Sequence, residues 1–294
     1  MSNDIVLKVQ NLKKYFGSVK AIDNISFEVE KGEIFGFLGP NGAGKTTTIR
    51  LLLDFIRAQS GSVEIFEIKS TESNFYEARK KIGYLIAGTN LVESWTGRDH
   101  IDYQQALFGH SKILLSLLKR FEFDTSPRVK TLSTGNRQKL GLIMALMHEP
   151  ELLVMDEPTV GLDPMLQEEV YRIFKRLSQK GVTIFMSSHN LPEVEKVCTR
   201  VAMIKEGKLI TVRKISDLEG KKIHSVRIVF DEPIDQKNIE DKNIKVVKEI
   251  EDGLQISVKG DIDSFIKKIA KLKVKTIQIS QANLEEIFFE FYRK

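Results

Sequence analysis

Cysteine is nearly absent. One residue of 294, Cys198, leaves no internal disulfide to form and fits a reducing compartment. It has no metal-ligand spacing and reads as a helix-packing residue. Long apolar runs are missing too. None approaches the roughly 18 residues of a membrane span, so work at a membrane calls for another protein to cross it. The opening Met-Ser-Asn-Asp-Ile has no basic region followed by an apolar stretch, and no signal peptide is expected. No internal repeat or low-complexity tract stands out. Neither sign of charge dominates: 45 Lys+Arg against 40 Asp+Glu leave a net +5. Such a balance suits nucleic acid or an anionic membrane surface when the cations cluster. Here Lys is interleaved with acids, which favours a solvated mixed surface and no nucleic-acid partner. A hydrophobic content of 41% and a charged content of 29% are ordinary for a globular protein. The length suits one large domain with a smaller one.

What is present begins with Gly39-Pro-Asn-Gly-Ala-Gly-Lys-Thr46, the pattern G-x-x-x-x-G-K-[ST] of a phosphate-binding loop. The apolar run Ile34–Leu38 before it reads as a strand, and Thr47–Leu53 after it as a buried helix. Glycines 39, 42 and 44 let main-chain N–H groups close on an oxyanion, with Asn41 inside the same loop. The helix N-terminus, with Thr46 and Thr47 in its first turn, adds about half a positive charge. Lys45 is placed to reach β- and γ-phosphates, and Thr46 to put a hydroxyl on Mg²⁺.

Periodicity predicts strands at 5–10, 25–30, 61–66 and 82–86, short helices at 101–108, 112–121 and 138–147, and a strand at 152–155. Asp163-Pro164 opens a helix as N-cap and first residue. Its apolar face is Leu166, Val170, Ile173, Phe174 and Leu177. A strand at 182–186, a helix at 193–198 and a hairpin about Glu206-Gly207 follow. Near residue 218 the composition turns to Lys, Ile and acids with little Gly. Strands at 225–230, 244–249, 254–258 and 274–279 with helices at 262–270 and 283–292 suggest a small α+β module. The expected domains are 1–217, with a helical subdomain over about 90–148, and 218–294.

Leu152-Leu153-Val154-Met155-Asp156-Glu157 supplies the acidic strand that a phosphate loop needs, with two carboxylates at its carboxyl end. Asp156 is the expected Mg²⁺ ligand, directly or through water, and Glu157 the base for an attacking water. At this point the chain resembles the ATP-binding subunit of an ATP-binding-cassette (ABC) transporter over roughly residues 4–215. Leu132-Ser133-Thr134-Gly135-Asn136 falls where the family carries its signature, Gly161-Leu162-Asp163 matches the loop after the catalytic Glu, and His189 matches the switch histidine. The resemblance implies a P-loop NTPase (RecA-like) α/β cassette with a helical subdomain, binding ATP and Mg²⁺. It implies Phe16 as the aromatic on adenine, with Tyr15 a second candidate and packing in the strand core an open alternative. It implies that Ser133 and Gly135 present a helix N-terminus to the nucleotide of a second cassette, identical or different. Asp163 then links the facing sites besides capping its helix, and His189 donates to the γ-phosphate while holding Glu157 and its water. It also implies a separate membrane permease at the cytoplasmic face of a bacterial or archaeal membrane. The tail Ala282-Asn-Leu-Glu-Glu-Ile-Phe-Phe289 resembles those of exporter ATPases for drugs, antibiotics, ions or lipids. Phe288, Phe289, Phe291 and Tyr292 read as the core face of a last helix or as a partner surface. The groove between the sheet domain and the helical segment 97–147 is expected to receive a short cytoplasmic helix of the membrane subunit, and Trp95 lines that groove or packs locally.

The sequence departs from the family at Thr134, at Asn136 and at Ala87, which stands where Gln or Glu is usual; Thr89, Asn90 and Glu93 are nearby oxygen donors. Two rival functions follow: a soluble ABC ATPase acting on ribosomes or DNA, which usually needs a second fused cassette or a coiled-coil insertion, and a nucleotide-binding regulator that does not hydrolyse.

Overall fold

A computed structural model describes residues 4–85, 91–219, 223–232, 239–250, 253–270 and 272–281. It divides into two compact units, Met1–Arg213 and Lys214–Lys294. The expected last helix at 283–292, and Ala87, Thr89 and Asn90, lie outside the described residues.

The first unit opens with two long strands, β1 (Ile5–Phe16) and β2 (Val19–Glu30). Both run past the expected 5–10 and 25–30. The alternation breaks at Asn11 and Asn24, which are left-handed at φ 47° and 61°, while the register shifts by bulges and pairing continues. After β3 (Ile34–Leu38) and α1 (Lys45–Leu52) come β4 (Ser60–Ile65) and β5 (Ile68–Lys69). Together they form an antiparallel sheet in the order β2-β1-β4-β5. The polar stretch after residue 70 holds a short α2 (Phe75–Lys80), which periodicity misses because only Phe75 and Ala78 are buried.

Next are β6 (Ile82–Leu85), α3 (Gly97–Phe108), α4 (Leu114–Arg120), a 3-10 turn at Val129–Thr131 and α5 (Thr134–Leu146). Thr96 and Asp99 cap α3 reciprocally. Helix α5 starts four residues before the apolar spacing from 138, at the Ser133–Gly135 turn that the family resemblance implied, because Ser133 accepts from the Asn136 N–H at 3.2 Å and caps it there. The unit continues through β7 (Leu152–Asp156), α6 (Pro164–Gln179), β8 (Thr183–Ser188), α7 (Leu191–Val197), β9 (Arg200–Lys205) and β10 (Lys208–Lys214). The second sheet has the order β10-β9-β3-β8-β7-β6, in which the pairs β9–β3, β3–β8, β8–β7 and β7–β6 are parallel. Strands β3, β7 and β8 are buried along their whole length, as expected of parallel strands covered on both faces.

Phe27 from the antiparallel sheet meets Phe35, Phe37 and Phe185 of the parallel sheet at centroid distances of 5.5, 5.6 and 5.8 Å. This aromatic layer belongs to the main core, which also takes in Ala43 of the loop that follows β3. Cys198 is buried where α7 ends, and a Cβ on Gly36 would lie 2.9 Å from its sulfur, so α7 packs closely on β3. The second unit holds α8 (Ile215–Glu219), β11 (Ile223–Phe230), β12 (Ile244–Ile250), β13 (Gly253–Lys259), α9 (Ile262–Ile269) and β14 (Val274–Gln281). Its antiparallel sheet, in the order β12-β13-β11-β14, has its own core of Val226, Ile228, Ile256, Val258, Phe265 and Ile269.

Candidate active site

Parallel strands deliver their carboxyl ends to one edge, and the chemistry-bearing residues collect there. The loop between β3 and α1 is shaped by close approach. A Cβ on Gly39 would lie 2.5 Å from the Ile204 carbonyl, and one on Gly44, itself at φ +110°, 2.5 Å from the Ala21 carbonyl. Only hydrogen fits at either place. Asn41 and Gly42 are exposed at the loop tip.

Lys45, only 7% exposed, folds back over the loop. Its ammonium donates to the Gly39 and Pro40 carbonyls at 2.8 and 3.2 Å and lies 3.3 Å from Glu157 Oε1. Glu157 Oε2 accepts from His189 Nδ1 at 2.8 Å. The carboxylate thus sits between the loop lysine and the histidine after β8. Its backbone is left-handed, φ 52°, which is rare for a non-glycine residue. Gln138 of α5 steadies that bend by donating to the Glu157 and Pro158 carbonyls at 3.1 and 2.9 Å.

Asp156 is fully buried and accepts two hydroxyls: Thr46 Oγ1 at 2.7 Å and Ser187 Oγ at 2.5 Å. Thr47 follows in the same turn, and Thr48 Oγ1 bonds back to the Gly44 carbonyl at 3.0 Å. Among the described residues, no group of three or more His, Cys, Asp or Glu stands as a metal cluster. The hard oxygen pair of Thr46 and Asp156 is what a small divalent cation takes when substrate phosphates complete its shell.

The remaining expected residues sort by position. Phe16 is exposed at 51%, with the Lys14 ammonium 5.2 Å from its ring centroid, so it is not a strand-core residue. Tyr15 is engaged elsewhere, its hydroxyl donating to Asp23 at 2.7 Å. Ser133 is exposed at the start of α5. Gly135 lies against Gly161, whose carbonyl a Cβ would meet at 2.7 Å. The signature-like segment therefore touches the loop leading to Asp163, and no contact among the described residues joins Ser133 or Gly135 to Lys45, Thr46 or Asp156. Asp163 caps α6, accepting from the Met165 and Leu166 N–H groups at 3.0 Å each. Trp95 packs edge-on against His100 and Tyr103 at 5.1 and 5.6 Å. Glu93 grips Arg137 of α5 through two contacts of 2.6 and 3.0 Å. Periodicity and motif spacing gave no sign of Ser187 or Gln138, although Ser187 stands just two residues before the histidine.

A strand, a glycine-lined loop and a helix led by Lys-Thr, facing an aspartate and a glutamate on a neighbouring parallel strand, define a P-loop nucleoside triphosphatase. The family model for ABC transporters matches residues 22–160. The chain is 38% identical over 214 residues to the bacitracin transport ATP-binding protein of Bacillus licheniformis, covering 70% of this chain and 68% of that one. It is 31% identical over 297 residues to the ABC transporter ATP-binding protein YhcH of Bacillus subtilis, covering 97% and 95%. A solved ATP-binding subunit of an ABC transporter superposes with a TM-score of 0.67 at 25% identity over 73% of this chain and 92% of that one. The chain belongs to the ABC transporter ATP-binding proteins. It is an ATPase subunit of the kind that powers a separate membrane permease. No described helix is long and apolar enough to cross a membrane itself.

Proposed function

We propose that this chain hydrolyses ATP to drive an exporter of antibiotic-like compounds, working as a pair of cassettes on the cytoplasmic side of its permease. The bacitracin-transport relative and the resemblance of the tail to exporter ATPases support the cargo class. The observation that carries the hydrolytic reading is Glu157 held between Lys45 at 3.3 Å and His189 at 2.8 Å, beside an aspartate already paired with the loop threonine. Lys45, the glycine loop and the N-terminus of α1 take the phosphates. Thr46 and Asp156 hold Mg²⁺, whose role is to neutralise β- and γ-phosphate charge. Phe16 stacks on adenine. Ser133 and Gly135 meet the γ-phosphate of the second cassette, and Asp163 lies at the seam.

Glu157 accepts a proton from the attacking water as its oxygen bonds to the γ-phosphorus and the bond to ADP breaks. His189 orients that carboxylate. A neutral imidazole that gives its Nδ1 proton to Glu157 has only a lone pair at Nε2, so donating to a γ-phosphate oxygen as well takes the imidazolium form.

Steady-state ATP hydrolysis by wild type and Glu157→Gln, each alone and with the co-purified membrane subunit, tests this. Mg²⁺-dependent turnover that disappears in the variant, with ATP binding kept, is the expected result. Wild-type turnover in Glu157→Gln removes the base assignment. ATP binding without turnover in either setting points to a regulatory cassette or to a degenerate half that needs a different partner.

A further inference from the structure

Glu193 lies on α7, outside every motif named above, and is only 4% exposed. One of its carboxyl oxygens accepts from Thr159 Oγ1 at 2.6 Å, the other from Ser188 Oγ at 2.5 Å. Thr159 is the second residue after Glu157 and Ser188 the one before His189. The Ser188 hydroxyl has a second, longer acceptor, the Asn190 carbonyl at 3.3 Å, and its single proton goes to the nearer carboxylate. Its oxygen in turn accepts the Asn190 N–H at 2.9 Å, which fixes the turn after the histidine. On the other side, Gln167 of α6 holds the Thr159 and Leu162 carbonyls at 3.4 and 3.1 Å, so the loop pinned by Glu193 runs directly into Asp163.

We propose that Glu193 is a positioning residue for hydrolysis, tying the loop after Glu157 to the strand end before His189. A buried carboxyl is costly to keep without reason. Here it spans two chain segments that each carry one half of the Glu157–His189 pair, and a single side chain fixes the spacing between them. Glu193 touches neither ATP nor the attacking water. The proposal rests on the assignment of Glu157 and His189 to the reaction.

The test is a set of full-length variants, alone and with the membrane subunit. Thr159→Val removes one hydroxyl without changing shape, Ser188→Ala removes the other, and Glu193→Ala removes the tie. Each is expected to lower kcat about 10- to 100-fold, the scale of losing orientation of a reacting group, while the ATP KM stays within about twofold. Thr159→Ser, which keeps the hydroxyl, restores turnover. Thr159→Val combined with Glu193→Ala is no slower than the slower single variant, because both cut one tie. Wild-type kcat in Thr159→Val and Ser188→Ala overturns the proposal. So does a rise in KM at unchanged kcat, or losses that multiply in the double variant. These two single-hydroxyl variants decide the matter even where Glu193→Ala does not fold. Glu157→Gln run alongside separates the two ideas. If it is inactive while Thr159→Val is wild type, only the tie fails; if it turns over normally, the base assignment fails and the tie with it.

Discussion

Lys45→Ala is the perturbation whose size the structure constrains most. A charge-assisted hydrogen bond to phosphate is worth about 1.5–3 kcal/mol, or roughly 10- to 150-fold in affinity. The ammonium is not free to begin with. It already has two carbonyl oxygens, at 2.8 and 3.2 Å, and the Glu157 carboxylate at 3.3 Å. Phosphate oxygens replace those contacts instead of adding to bare charge, so the gain on binding is a difference. We therefore expect the lower part of the range, an ATP dissociation constant raised about 10- to 30-fold. Titration of a fluorescent ATP analogue into the variant, with competition by ATP, reads it directly. Thermal unfolding of the same sample checks that the loop is folded. An unchanged dissociation constant in a folded variant refutes the loop assignment. A loss beyond about 150-fold refutes the exchange argument, since it exceeds a full new bond.

Gly44→Ala places a methyl 2.5 Å from the Ala21 carbonyl at φ +110°. It should cost about 2–5 kcal/mol from overpacking and strain, seen as a fall of roughly 5–15 °C in the first unit's melting temperature; an unchanged melting curve contradicts the clamp. Phe16→Ala should weaken ATP binding by about 1–3 kcal/mol, the worth of stacking a base on an aromatic ring, whereas Tyr15→Ala should leave it unchanged; the reverse outcome moves the adenine to Tyr15. Burial pushes the Glu193 carboxyl above its ordinary 4.5, against the Ser188, Thr159 and Tyr171 hydroxyls that lower it and with Glu157 adding to the rise. The folded chain then binds a proton there where the unfolded chain has lost it. Stability from this group is fully present below the ordinary value and falls as pH rises through the raised one. Denaturant unfolding across that window should show wild type losing stability relative to Glu193→Gln as pH rises, and a flat or opposite difference contradicts the shift.

The phosphate loop and the Asp156-Glu157 pair were readable because their chemistry is contiguous: backbone shape, lysine and hydroxyl lie within eight residues of sequence. The second unit's strands were readable for a similar reason, since alternation survives along β11, β13 and β14. Alternation failed in β1 and β2, where Asn11 and Asn24 turn left-handed at bulges and invert the pattern without ending the strand. What sequence could not give was pairing at a distance. Ser187 meets Asp156 across 31 residues and Thr159 meets Glu193 across 34, and Ser, Thr and Glu at those positions look like any polar residues until the strands are laid side by side. Sequence also could not show that the Tyr15 hydroxyl is bonded to Asp23 while the neighbouring Phe16 ring is exposed.

The clamp on the phosphate loop has a consequence for how this chain would age under relaxed selection. Besides their part in the phosphate loop, Gly39 and Gly44 answer to the Ile204 and Ala21 carbonyls, neighbours within the fold. A duplicated copy freed from hydrolysing ATP would still have to keep both glycines in order to fold. Glu157, whose left-handed backbone asparagine or glycine adopts more readily, would be free to drift, and so would exposed His189. Among decayed descendants, then, the glycines record ancestry, while the carboxylate and the histidine are among the residues that record a living enzyme.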